Sequence, residues 1–95
     1  MRSLHISPGV LEKLSEKHKV TPKEINECFD NQCGIFLVDD RENRRTDPST
    51  LWFVAETNKG RLLIIVFIYQ DGQHQIKTAY EPNDVEIEIY ERKGK

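Results

Sequence analysis

An α+β domain is what this sequence predicts: two N-terminal helices packed on one face of a mostly antiparallel sheet of about four strands, with a short C-terminal helix. Three observations carry that expectation. Asp71-Gly72 stands between two apolar runs and is the dipeptide favoured in a two-residue hairpin, where both central residues take positive φ. Thr57-Asn58-Lys59-Gly60 marks a second hairpin loop just before the run Leu62–Ile68. Ser7-Pro8 and Thr21-Pro22-Lys23-Glu24 are helix starts, each a capping residue followed by proline at the first helical position. With 95 residues the chain is a single domain.

The elements follow in order. Leu4-His5-Ile6 reads as a short strand, and the Ser7-Pro8 start opens a helix with Val10, Leu11, Leu14 and His18 on one face. The second helix has a capping box in Thr21 and Glu24, a hydrophobic staple in Val20 and Ile25, and a buried stripe of Ile25, Cys28 and Phe29. Ile35–Val38 is the first strand of the main sheet. The polar stretch 39–49 is a loop long for so small a domain. At the C-terminus, Val85, Ile87 and Ile89 alternate like an edge strand. Pro82-Asn83-Asp84 looks instead like a helix start, and a short helix is the reading preferred.

The two loops also predict a register. Pairing outward from Asp71-Gly72 sets Tyr69 opposite His74, Phe67 opposite Ile76, Ile65 opposite Thr78 and Leu63 opposite Tyr80. A four-residue loop at 57–60 sets Glu56 beside Arg61 and Trp52 beside Ile65. Because side chains alternate between faces, one face becomes apolar and is covered by the helices in a two-layer sandwich. The other is mixed, with Glu56, Arg61, His74, Thr78 and Tyr80 set among Trp52, Val54, Leu63, Ile65 and Phe67. A working site is expected on that mixed face.

Composition narrows the function. A hydrophobic fraction of 37% with 32% charged residues suits a folded soluble chain, and the net charge of −2 is evenly spread along it. That balance argues against a dedicated polyanion arm, although a local cluster acts regardless of net charge. No apolar run is long enough to cross a bilayer and the N-terminus has no signal-peptide apolar core, so the expected compartment is the cytoplasm. Cys28 and Cys33 form either a bridge or two reduced thiols, and the compartment favours the thiols. No glycine-rich phosphate loop, nucleophile elbow, zincin motif or zinc-ligand spacing is present, so neither metal nor cofactor is expected.

Each candidate has a plain alternative. Arg61 suits phosphate, since its planar fork matches phosphate oxygens, with Glu56 orienting it; a cross-strand ion pair between the two is the plainer reading and the one preferred. His74 has the side chain whose ordinary pKa lies nearest neutrality, yet it stands beside a turn. His18 sits where a helix C-terminus favours a cation. Tyr80 is suited to stack on a base or donate to an oxyanion, or simply to pack. Arg41, Arg44 and Arg45 give the long loop a basic edge diluted by acids.

Lys17-His18-Lys19-Val20 and the capped helix ending at Phe29 resemble the lysine-histidine-x-valine segment of BrnT-like toxins, small members of the RelE-like superfamily. Gly60–Phe67 is similar to their central strand, Ile76–Ala79 to their next one, and the tail ending at Tyr90-Glu91 to their terminal helix. The resemblance covers most of the chain. It implies a metal-independent ribonuclease in which the RNA 2′-hydroxyl attacks the neighbouring phosphate, inhibiting translation until an antitoxin binds. Arg61, with Lys17 or His18, is the position carried across. One departure stands out: the family continues with arginines after the strand at Thr78-Ala79, whereas this chain has Tyr80-Glu81-Pro82, which removes charge from any phosphorane-like transition state. Chains of this type are sometimes labelled ADP-ribosyl-(dinitrogen reductase) hydrolases, but nothing here resembles the acidic metal motifs of those larger enzymes.

Two functions follow as expectations. The first is a toxin-type RNA endonuclease, with Arg61 on phosphate, Glu56, His74 and Tyr80 as orienting or proton-transfer groups, and Trp52, Thr78, Arg45, Lys17 and His18 in binding. The second is a non-catalytic module that grips a protein partner through Trp52 and Tyr80. Small-molecule binding, a third, needs a pocket. Oligomeric state is left open.

Overall fold

A computed structural model describes residues 3–38 and 49–94. Its elements are β1 (Ser3–His5), α1 (Pro8–Lys13) with a π-helical extension (Leu14–His18), α2 (Pro22–Asp30), β2 (Leu37–Val38), β3 (Thr50–Glu56), β4 (Leu62–Gln70), β5 (Gln73–Tyr80) and α3 (Asp84–Lys93). They form one sheet in the order β1-β5-β4-β3-β2. β1 lies parallel to β5, and the other neighbours are antiparallel. The α+β class is as expected, with five strands rather than four because the N-terminal segment joins the sheet edge. The expected 39–49 loop lies outside the described residues apart from Ser49.

Local signals are realised in detail. The Ser7 side chain accepts from the Val10 amide. Thr21 and Glu24 make both bonds of a capping box, and Val20 and Ile25 are buried together in the core beside it. Ile25, Cys28 and Phe29 are the buried stripe of α2. The C-terminus is a helix with its own capping box, Asn83 to Glu86. Leu11 departs from expectation, being 40% exposed. The wider π-turn beyond Lys13 re-aims the α1 stripe, so that Leu14 alone is buried there.

The register differs from the expected one in two places. Thr57 donates its amide to the Arg61 carbonyl and Gly60 donates to the Thr57 carbonyl, with Gly60 at φ +84°. That is a three-residue loop, Asn58-Lys59-Gly60, with glycine in the left-handed position. Glu56 therefore pairs with Leu62 and Trp52 with Val66, not with Arg61 and Ile65. A slip of one residue turns every side chain of β3 to the opposite face relative to β4. At the other hairpin Asp71 and Gly72 both have positive φ, and Tyr69/His74 and Phe67/Ile76 pair as expected. An irregularity between Val66 and Phe67 then moves Thr78 opposite Val66 and Tyr80 opposite Ile64.

In consequence the described residues form no exposed mixed face. Phe53, Ile65, Phe67 and Ile76 share one side with Phe29 of α2, whose ring lies 4.8 Å from that of Phe53 and 5.2 Å from that of Phe67. Trp52, Val54, Ile64 and Val66 share the other, where α3 lays Tyr90 at 5.8 Å from Trp52. With helices against both faces, the arrangement is a sheet between helices rather than two layers. Gly34 belongs to this packing: a Cβ there would overlap the Gly94 carbonyl, which accepts from the Ile35 amide.

Candidate functional site

Arg61 leaves the hairpin pointing at the junction of the two N-terminal helices. Its guanidinium donates to the carbonyls of His18 (3.0 Å) and Lys19 (2.7 Å), to the Glu24 carboxylate (3.2 Å) and to Glu81 (3.2 Å). Lys19 is in the left-handed conformation at the end of the π-turn, which orients its carbonyl and that of His18 outward as helix-end acceptors. Arg61 thus closes the first helix, ties it to the capping box of α2 and pins both to the strand end. Burial works against its charge, but the bonds to Glu24 and Glu81 raise its pKa above the ordinary value. Burial likewise raises the Glu24 carboxyl, and the Thr21 amide with the Arg61 guanidinium outweighs it, leaving it below its ordinary value.

The other candidates do not join Arg61. Glu56 is across the hairpin on the α3 side and exposed. Tyr80 donates its hydroxyl to Glu86 at 2.6 Å, and its ring stands 5.7 Å from that of His18. Trp52 is 7% exposed against Tyr90. Thr78 shares the Trp52 face with Tyr80. His74 lies at the opposite end of β4 among the rings of Phe29 (5.0 Å), Phe67 (5.5 Å) and Tyr69 (4.8 Å), and its Nδ1 is buried with no hydrogen-bond partner among the described residues. His18 is held below its ordinary pKa by burial, then by the charges of Lys17 and Lys13. Arg45, like Arg41 and Arg44, lies outside the described residues. Arg61, Trp52 and Tyr80 were expected on one side of the sheet; Trp52 and Tyr80 are, and Arg61 reaches the helices beyond it.

What the sequence reading missed is the surface that Arg61 organises. Lys19, Lys23 and Lys59 surround a cleft of about 400 Å³ whose wall carries Arg61, Glu24 and Glu27. All three lysines are exposed, and among the described residues none is in an ion pair. Lys19 and Lys23 flank the start of α2 and Lys59 comes from the β3–β4 loop, so no single run of sequence announces all three. Lys17 adds charge nearby through the same turn that lowers His18.

Among the described residues no group of three His, Cys, Asp or Glu side chains is placed to hold a metal, and no helix is long and apolar enough to cross a membrane. Cys28 and Cys33 are unbridged, the first buried and the second exposed. Burial, then Glu24 and Glu27, pushes the Cys28 thiol up to about 12. The chain matches no protein-family model and no curated protein.

Proposed function

We propose that this chain is a toxin-type protein of the BrnT/RelE-like kind that engages RNA, with the Lys19–Lys23–Lys59 cleft as its phosphate contact. One observation carries the reading: three cations free of carboxylate partners among the described residues meet at one cleft in a protein of net charge −2. Lysine is a mobile point charge suited to a flexible phosphate backbone, and such contacts supply most of the affinity for RNA. Arg61 serves as the platform. For it to stabilise a pentavalent phosphate it must give up two carbonyls and two carboxylates, so the reading supports binding and not cleavage by Arg61.

The test is retention of single-stranded RNA by the purified chain as salt is raised. The wild type is expected to bind at low salt, with a log–log slope of about −0.7 per phosphate neutralised. Lys19→Glu/Lys23→Glu/Lys59→Glu together should abolish retention without unfolding the chain. A wild type that ignores RNA, or a triple variant that binds as well, overturns the reading. RNA integrity followed in the same samples, with Arg61→Ala alongside, reports whether cleavage accompanies binding.

A second reading is favoured by Ile35, Phe36, Val38 and Tyr69, which are between 37% and 61% exposed at the β2 edge and the far hairpin. Exposed apolar groups gathered in this way suit a protein partner of the antitoxin type. Co-purification with the product of a neighbouring reading frame, without RNA binding, is its signature.

A further inference from the structure

On the α3 side of the sheet lies a second cleft, of about 410 Å³, between the β3–β4 hairpin, the segment after α2 and α3. Val54, Leu62, Ile87 and Tyr90 supply apolar lining, beside the polar Asn31, Thr57 and Asn58. Glu56 and Glu91 also line the cleft, and among the described residues no lysine, arginine or histidine does. The corrected register puts Glu56 there, since strand alternation sets it on the face of Val54 and opposite Leu62. Among the described residues, the Glu56 carboxylate enters no ion pair.

The walls are held in place before any ligand arrives. Asn31 donates its side-chain amide to the Glu56 carbonyl (2.9 Å) and to the Asn58 side chain (3.0 Å), while the Asn58 amide donates to Glu27 (3.0 Å). These bonds fix the hairpin to the end of α2. The Tyr90 hydroxyl donates to the Ile35 carbonyl at 2.8 Å, which fixes the α3 wall. A preformed cleft that sets apolar side chains beside fixed polar groups suits a small ligand with an apolar body and a polar head. A rim that carries the Glu56 carboxylate and, among the described residues, no cation draws a positive charge to it.

We propose that this cleft binds a small organic cation, an alkyl or aryl ammonium whose apolar body lies on Val54, Leu62, Ile87 and Tyr90 and whose charge pairs with Glu56. The site is separate from the lysine cleft and stands or falls independently of the RNA reading.

Cys33 lines the same cleft and is exposed, with its thiol donating to the Asn31 carbonyl at 3.4 Å. Cys28 is fully buried, so a thiol reagent reports on Cys33 alone. The experiment follows the rate of Cys33 modification in the full chain against phenethylammonium, 2-phenylethanol and 3-phenylpropionate. The ammonium is expected to protect Cys33 with a Kd on the order of 1 mM, fitting so small a probe. The alcohol should bind about tenfold more weakly, the worth of one charge-assisted hydrogen bond, and the carboxylate not at all. Glu56→Gln, at an exposed position, should erase the difference between ammonium and alcohol. Equal protection by the three probes, no protection by any, or undiminished preference for the ammonium in Glu56→Gln overturns the proposal. If that variant fails to fold, the three-probe comparison on the wild type decides alone.

Discussion

At the β3–β4 end of the sheet, Arg61 is held by two carbonyls and two carboxylates; at the β4–β5 end, His74 is held by three aromatic rings and by no hydrogen bond to its buried Nδ1. Both residues flank a hairpin and both carry chemistry that suggests a site. The polar end satisfies its charged group from several directions, which fixes the helix junction and leaves the surrounding lysines to face solvent. The aromatic end surrounds its polar group with rings and leaves one nitrogen unsatisfied. A reactive side chain next to a turn is therefore no guide to function until its neighbours are counted. At one end the chemistry passes to residues around the arginine, and at the other the half-buried imidazole packs against aromatic rings.

The comparison breaks most severely at Phe29, which anchors the aromatic end by packing on Phe53, Phe67, Phe36 and His74. Phe29→Ala should cost about 3–5 kcal/mol, the range for a large buried ring, and is measured by denaturant unfolding. A loss under 1 kcal/mol would mean that the aromatic end is not core. Arg61→Ala comes next, at about 2 kcal/mol, because it takes one charged donor from the part-buried Glu24 carboxylate, which keeps its bond from the Thr21 amide, and removes the guanidinium from two helix-end carbonyls. Arg61→Lys should restore less than half, since an ammonium cannot span four acceptors in this geometry.

The same clamp gives a pH dependence with a definite sign. Glu24 and His18 both have folded pKa values below their ordinary ones. A depressed pKa means that the unfolded chain binds the proton more tightly, so stability is present above the unfolded pKa and is lost as pH falls through the folded one. Histidine acts first, as pH drops below its ordinary value of about 6.5, and the carboxylate follows below about 4.5. In Arg61→Ala the lower of the two windows should flatten, because the guanidinium is part of what holds Glu24 down. An unchanged acid limb would show that the Thr21 amide does this unaided.

Much of the fold was legible because its signals are local. Thr21 and Glu24, Ser7 and Pro8, and Asp71 and Gly72 each lie within a few residues of the bond or turn they make. The β3–β4 register was not legible, since TNKG fits a four-residue loop as readily as the observed three-residue loop flanked by Thr57 and Arg61. That single residue moved Glu56 away from Arg61 and dissolved the expected mixed face. The irregularity at Val66/Phe67 is set by long-range packing and leaves no local mark. Glu24 was visible as a cap and Glu81 as a departure from the resembled family. Their meeting at Arg61 depends on Lys19 turning left-handed, which brings residues 18, 24, 61 and 81 together.

Gly60 tests the loop geometry directly. At φ +84° a side chain is strained although nothing lies within 4 Å of a Cβ there, so the cost is in the backbone alone. Gly60→Ala should lose about 1–2 kcal/mol, the penalty for an L-residue in the left-handed region. Gly60→Asn should lose less, because asparagine tolerates that conformation. If alanine is accepted freely, the three-residue loop and the register built on it are wrong, and Glu56 returns to Arg61.

The smallest effect has the opposite sign and bears on the aromatic end. His74→Phe replaces an imidazole whose buried Nδ1 has no partner with a ring of similar shape among Phe29, Phe67 and Tyr69. Removing a buried polar atom that bonds to nothing is neutral or favourable, so the variant should be as stable as the wild type or more stable by up to about 1 kcal/mol. RNA retention through the lysine cleft at the other end of β4 should be unchanged. A variant that unfolds readily would show that His74 makes a polar contact the fold needs. A variant that folds but loses RNA binding would return His74 to the site, and the two ends of the sheet would then act together.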